Sequence, residues 1–158
     1  MSEPREDLLH DLNTQFIVKF GMPESRRATV GKATLSWWQS EGGATRCEPE
    51  CGEETDFNPF NSTLVFNGSH VAPGHDVPVQ VYRSRSDGIA ATVATLSASR
   101  YAAIRHAIVT PRVHALTICK AIAASDWGTS LHPMVDVLAD ITKRGLWHEY
   151  ADIPVYPS

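Results

Sequence analysis

The chain has 158 residues, of which 42% are hydrophobic and 20% charged, and it carries a net charge of −4. That is enough for one domain with a real core, too little for two comfortable ones, and it has the balance of an ordinary soluble globular protein. The acidic charge excludes a nucleic-acid binder that works by neutralising phosphates, while a neutral sugar polymer stays open as a partner.

No apolar run in the sequence reaches the length of a membrane span. The amino terminus, Met1-Ser2-Glu3-Pro4-Arg5-Glu6-Asp7, is too acidic for a signal peptide. The expectation is synthesis in a cytoplasm and, for any action outside it, an exit route that the sequence does not encode. Three cysteines cannot complete a disulfide framework. There is no phosphate-binding glycine loop, metalloprotease helix motif or nucleophile elbow, and no cofactor is expected.

Residues 5 to 20 set Leu8, Leu9, Leu12, Phe16 and Phe20 at helical spacing and stop at Gly21-Met22-Pro23. Ser25 is the expected cap of a second helix that runs from about Arg26. On it Val30, Thr34, Trp37 and Trp38 share a face, Glu41 extends the stripe, and Gly42-Gly43 end the helix in the left-handed conformation that glycine tolerates. A carboxyl at this point meets the negative end of the helix dipole beside two indole rings. Both effects oppose ionisation, as a general acid for glycosidic bond cleavage requires; a solvated surface Glu that precedes a turn is the alternative reading.

From Ala44 to about Asn61 the periodicity fails and a loop is expected, placed at the end of a rigid helix where sites are commonly built. Two β-prone runs follow, Ser62 to Phe66 and Val77 to Tyr82, and predict a small hairpin with a long connection. Ser86 is the expected cap of a helix bearing Ile89, Thr92, Val93 and Leu96, and Tyr101, Ile104 and Ile108 mark a further short helix. The run from Val113 to Ala124, with Ala115, Leu116, Ile118, Cys119 and Ile122, is almost wholly apolar and reads as the central core helix, Cys119 included. A last helix starts near His132 and stops near Gly145, and the tail over 151–158 is expected to be extended. The fold class is therefore α+β, predominantly α-helical with a small β element, in one domain over 1–158.

Taken in order, the motifs are Trp38 and Glu41-Gly42-Gly43; Asn58-Pro59, Asn61 and Thr63; Tyr82 and Ser84; Gly88-Ile89, Ala91-Thr92 and Leu96; Tyr101 and Ile104; and Ser125 with Trp127-Gly128-Thr129. Over about residues 33 to 130 this series resembles the lysozyme-like domains of bacteriophage cell-wall hydrolases and virion proteins, especially those of phages of actinobacteria. The resemblance implies a lysozyme-like fold and cleavage of β-1,4 glycosidic bonds in the peptidoglycan glycan strand, by an endolysin or a virion-associated lysin. It implies Glu41 as the general acid, with Asn58, Asn61 and Tyr82 lining a groove and Trp127 offering a ring to a sugar face. Read from the residues alone, Asn-Pro and Asn-Ser are also ordinary turn dipeptides, Tyr82 also fits a half-buried strand end, and Trp127 also fits a core.

A second carboxylate would decide between hydrolysis and a lytic transglycosylase route that uses one Glu as acid and then base. Asp56 is the nearest candidate in sequence, followed by Glu53, Glu54, Asp76 and Asp87. Cys47 and Cys51, with His70 and His75 further on, allow three readings: a structural zinc site, a local disulfide, or free thiols. The rival to the enzyme is a lysozyme-like virion or wall-binding protein without turnover, in contact with other phage proteins; a related glucosamine polymer is a further substrate option.

Overall fold

A computed structural model describes residues 4–41 and 57–144. Outside them fall Gly42 and Gly43, both cysteines of the Cys47/Cys51 pair, the carboxylates Glu53, Glu54 and Asp56, and the 151–158 tail. The described residues form six α-helices and one two-stranded sheet: α1 (Pro4–Phe20), α2 (Arg27–Ser40), β1 (His70–Val71), β2 (Gln80–Val81), α3 (Arg85–Leu96), α4 (Ala102–Val109), α5 (Ala115–Ala123) and α6 (Leu131–Arg144). The protein is thus mostly helical with one small β element, and no helix among these residues is long and apolar enough to cross a membrane.

The helix positions follow the apolar spacing. Leu8, Leu9, Leu12 and Phe16 of α1 are buried, as are Ile89, Thr92, Val93 and Leu96 of α3 and Ile104 and Ile108 of α4. Buried apolar side chains from all six helices join in one core cluster.

Its centre is α2, not the 115–123 helix. Every residue from Ala33 to Trp38 is buried, which means all sides of the helix are covered, and α1, α5 and α6 pack around it. Helix α5 instead buries one stripe, Ile118, Cys119 and Ile122, and leaves Leu116 39% exposed. An apolar composition does not say how many neighbours a helix will have. The short side chains Gly31, Ala33 and Ser36 of α2 permit close packing on several sides, although they make it look less apolar than α5.

Two caps also differ from expectation. Ser25 lies inside a 3-10 turn (Glu24–Arg26), and Arg26 stands at the N-cap of α2 with no side-chain cap bond. The Arg26 side chain goes elsewhere: only 5% exposed, it donates to the carbonyl oxygens of Ile108 (3.1 Å), Ala107 (3.0 Å) and Val113 (2.6 Å). It thereby satisfies orphan carbonyls at and beyond the end of α4, where the helix dipole is negative. In α3 the cap is Ser84, which accepts from the Asp87 backbone N–H at 3.1 Å, while Ser86 sits within the first turn.

The β element is smaller than expected and pairs differently. Strands β1 and β2 are antiparallel, with His70 opposite Val81 and Val71 opposite Gln80. Of the second expected strand, Val77 to Tyr82, only Gln80–Val81 forms one, its partner His70–Val71 lies in the expected connection, and Ser62 to Phe66 forms no strand. That run still runs beside β2: Ser62 accepts from the Gln80 N–H (3.0 Å) and Leu64 accepts from the Tyr82 hydroxyl (2.8 Å). Leu64 and Val65 are exposed, so their β propensity finds no second layer to pack against.

Candidate active site

Helix α2 carries Glu41 to its C-terminal end, where the Glu41 backbone N–H still donates to the Trp37 (3.0 Å) and Trp38 (3.2 Å) carbonyls. Those bonds anchor its Cα to the most buried helix among the described residues. The side chain is half-buried.

Two chain segments remote in sequence grip the carboxyl. Asn61 Nδ2 donates to Oε2 at 2.6 Å, and Thr129 Oγ1 lies 2.5 Å from Oε1. Asn61 has φ +57°, the left-handed conformation that asparagine tolerates better than most residues, and this turns its amide back towards the helix end. On the other side Gly128, at φ +87°, reverses the chain between Trp127 and Thr129. A Cβ there would be strained by backbone conformation alone.

Aromatic rings form the floor. Trp37 stacks on Phe60 with centroids 3.8 Å apart and planes 5° from parallel, and Trp127 meets Trp37 edge-on at 4.9 Å. The Trp127 indole N–H donates to the Phe60 carbonyl (2.6 Å), and Trp37 Nε1 donates to Thr129 Oγ1 (3.0 Å). The end of α2, the loop 57–61 and the turn 125–129 are therefore stitched together by side-chain bonds, and Glu41 sits at the junction.

The electrostatic setting is specific. No Lys or Arg among the described residues pairs with Glu41, so its partners there are a neutral amide and a neutral hydroxyl. A carboxyl kept for stability alone, once taken partly out of water, is usually matched by a cation.

The other residues singled out from sequence take different places. Asn58 is 3% exposed, and its amide is spent on the protein itself: Nδ2 donates to the Ser62 (2.9 Å) and Gln80 (2.8 Å) carbonyls while Oδ1 accepts from Ser62 N–H (2.8 Å). It ties the loop to β2, the turn role that Asn-Pro also allowed, rather than lining a groove. Tyr82 is 2% exposed with its hydroxyl on Leu64, and burial pushes that phenol above its ordinary value. It packs the β element rather than facing a ligand. Trp127 is half-buried among Trp37, Phe60 and Tyr101.

Of the described carboxylates proposed as a second group, Asp87 accepts both hydrogen bonds of the Asn67 amide (3.1 Å each) and Asp76 is exposed in a turn. His70 lies in β1 and His75 in the turn before β2; among the described residues no three His, Cys, Asp or Glu groups gather around a metal position. A cleft of about 830 Å³ opens elsewhere, between α1 and α3, lined by Asp11, Lys19, Arg85, Ile89 and Val93. None of the residues around Glu41 borders it.

Sequence reasoning missed Thr129, Phe60 and the donor role of Trp37. Thr129 stood in the Trp-Gly-Thr motif without a task, and only its 88-residue return to Glu41 assigns one. Compared with known proteins, the chain matches no family model, no curated protein and no solved structure.

Proposed function

We propose that this protein is a lysozyme-type glycosidase that cleaves the β-1,4 bonds of the peptidoglycan glycan strand, with Glu41 as the acid that protonates the leaving oxygen. One observation carries the reading: a half-buried carboxyl at the end of the central helix, held at both oxygens by neutral donors from segments 20 and 88 residues away. Fixed in this way, it offers a single acid–base group in a defined orientation, which general acid catalysis requires. The substrate class rests on the resemblance of the ordered motifs over about residues 33 to 130 to phage wall hydrolases. A bacteriophage origin, as endolysin or virion-associated lysin, belongs to the same proposal.

The experiment is release of soluble fragments from purified peptidoglycan by the full chain and by its Glu41→Gln variant. Gln keeps the shape and loses the transferable proton, and the expected loss is about 10²–10⁴-fold. A variant that solubilises wall at the native rate refutes the mechanism. Binding of the native protein to wall without release of fragments favours the non-catalytic virion or wall-binding reading instead. Reducing-end against anhydro products then separates hydrolysis from the transglycosylase route.

A further inference from the structure

We infer that Thr129 is the positioning residue of this site, and that its hydroxyl is turned toward Glu41 by the Trp37 indole; the catalytic part of this inference rests on the function proposed above. An indole N–H can only donate. Trp37 is 1% exposed, and its Nε1 meets Thr129 Oγ1 at 3.0 Å, so the threonine oxygen is the acceptor of that bond. A hydroxyl has one hydrogen to give, and with Oγ1 accepting from the indole that hydrogen points to Glu41 Oε1, 2.5 Å away. Thr129 is itself 6% exposed, and no other acceptor among the described residues competes for its proton.

The second oxygen is settled by the same kind of argument. Asn61 faces the Oε2 atom and the backbone carbonyl of Glu41, at 2.6 and 3.5 Å, and both are acceptors. The amide therefore presents its NH₂ to them. The terminal torsion of a glutamate is broad and roughly two-fold when left alone. Here the two donors arrive from segments 20 and 88 residues further along the chain and choose one plane for the carboxyl group.

Of the two, Thr129 is the tighter determinant, because its own orientation is fixed by a ring stacked on Phe60 and wedged against Trp127. The rigidity of the core thus reaches the carboxyl through one hydroxyl. Thr129 touches Glu41 rather than the reacting atoms, and it acts through the position of that group. Displacing a reacting group by about 1 Å is able to cost on the order of 10²-fold in rate.

The test uses the full chain with Thr129→Val, which keeps the shape without the hydroxyl, and Thr129→Ser, which keeps the hydroxyl. On soluble glycan strands prepared from peptidoglycan, Thr129→Val is expected to lower kcat about 10–100-fold with KM within about two-fold, and Thr129→Ser to recover most of the loss. Introduced into Glu41→Gln, Thr129→Val is expected to cost nothing further, since the group it positions is already gone. Equal losses in both Thr129 variants, a change confined to KM, or a full additional loss in the Glu41→Gln background overturns the inference.

A readout without substrate separates this inference from the proposed function. The Trp37 indole N–H resonance should move upfield and exchange faster with water in Thr129→Val but not in Thr129→Ser, while the Trp127 indole, bonded to Phe60, stays in place as the internal control. If Glu41→Gln retains full activity, Glu41 falls as the acid, and the hydrogen-bond polarity still stands or falls on the Trp37 resonance. An unmoved Trp37 resonance in Thr129→Val refutes the bond even where activity is lost.

Discussion

Replacement of Gly88 by alanine tests how the candidate site is supported from below. Gly88 lies in the first turn of α3, where the Phe57 carbonyl comes so close that a Cβ would sit 1.9 Å from its oxygen and 3.0 Å from its carbon. The obstacle is backbone on both sides. The loop has to recede by about 1 Å to reach even a tight contact, and Phe57, already at φ +48°, directly precedes Asn58 in the segment that also carries Phe60 and Asn61.

Two effects of opposite sign compete in Gly88→Ala. Helix propensity alone favours Ala by about 1 kcal/mol. Overpacking of this kind costs about 1–3 kcal/mol, and a clash between two backbones belongs at the upper end. The net expectation is a loss of about 2 kcal/mol, or a Tm lower by about 4–8 °C in a chain of this size. Because the Asn61–Glu41 bond is only 2.6 Å long, the displaced loop is also expected to lower wall-degrading activity about 10–100-fold. Thermal unfolding and fragment release on the same preparation measure both. A Tm that rises by about 2–4 °C with activity unchanged would mean that propensity decides, and the close approach would then be refuted.

Arg26 and Cys119 carry the remaining predictions. Arg26→Met leaves the carbonyls of Ala107, Ile108 and Val113 without their donor and should cost about 3 kcal/mol in urea unfolding. Arg26→Lys should recover less than half, because an ammonium does not fan out to three acceptors as a guanidinium does; equal stability of the Lys variant and wild type would contradict the clamp. Burial pushes the Cys119 thiol up to about 11, so it should stay unmodified by a thiol reagent at pH 8 until the protein unfolds, as peptide mapping would show. Its folded value lies above its unfolded one, so stability should fall as pH rises from about 9, where the thiol of the unfolded chain ionises, towards about 11. That slope should shrink in Cys119→Ala, and an unchanged slope would place its origin elsewhere.

The helices were legible in the sequence because their signal is local. Leu8, Leu12 and Phe16, or Ile89, Val93 and Leu96, repeat with the period of the helix itself, and each helix must bury that stripe somewhere. Caps were less legible: Ser84 and Ser86 are equally good cap residues two positions apart, and only the loop arriving at the helix selects Ser84. The hairpin was half legible: Ser62 to Phe66 does run beside β2, but Leu64 and Val65 stay exposed with no second layer to pack against, and no strand forms there. Which helix lies at the centre was misread, because burial on every side depends on neighbours rather than on composition.

By itself the sequence determined where the helices lie and that a carboxyl closes one of them beside a pair of tryptophans. Only the tertiary structure decided what holds that carboxyl. Asn61 and Thr129 reach Glu41 from 20 and 88 residues away, and a contact across such a separation leaves no periodic trace in the chain. It exists because α2 is packed on all sides, which brings the loop 57–61 and the turn 125–129 to the same helix end and leaves a half-buried acid for their donors to meet.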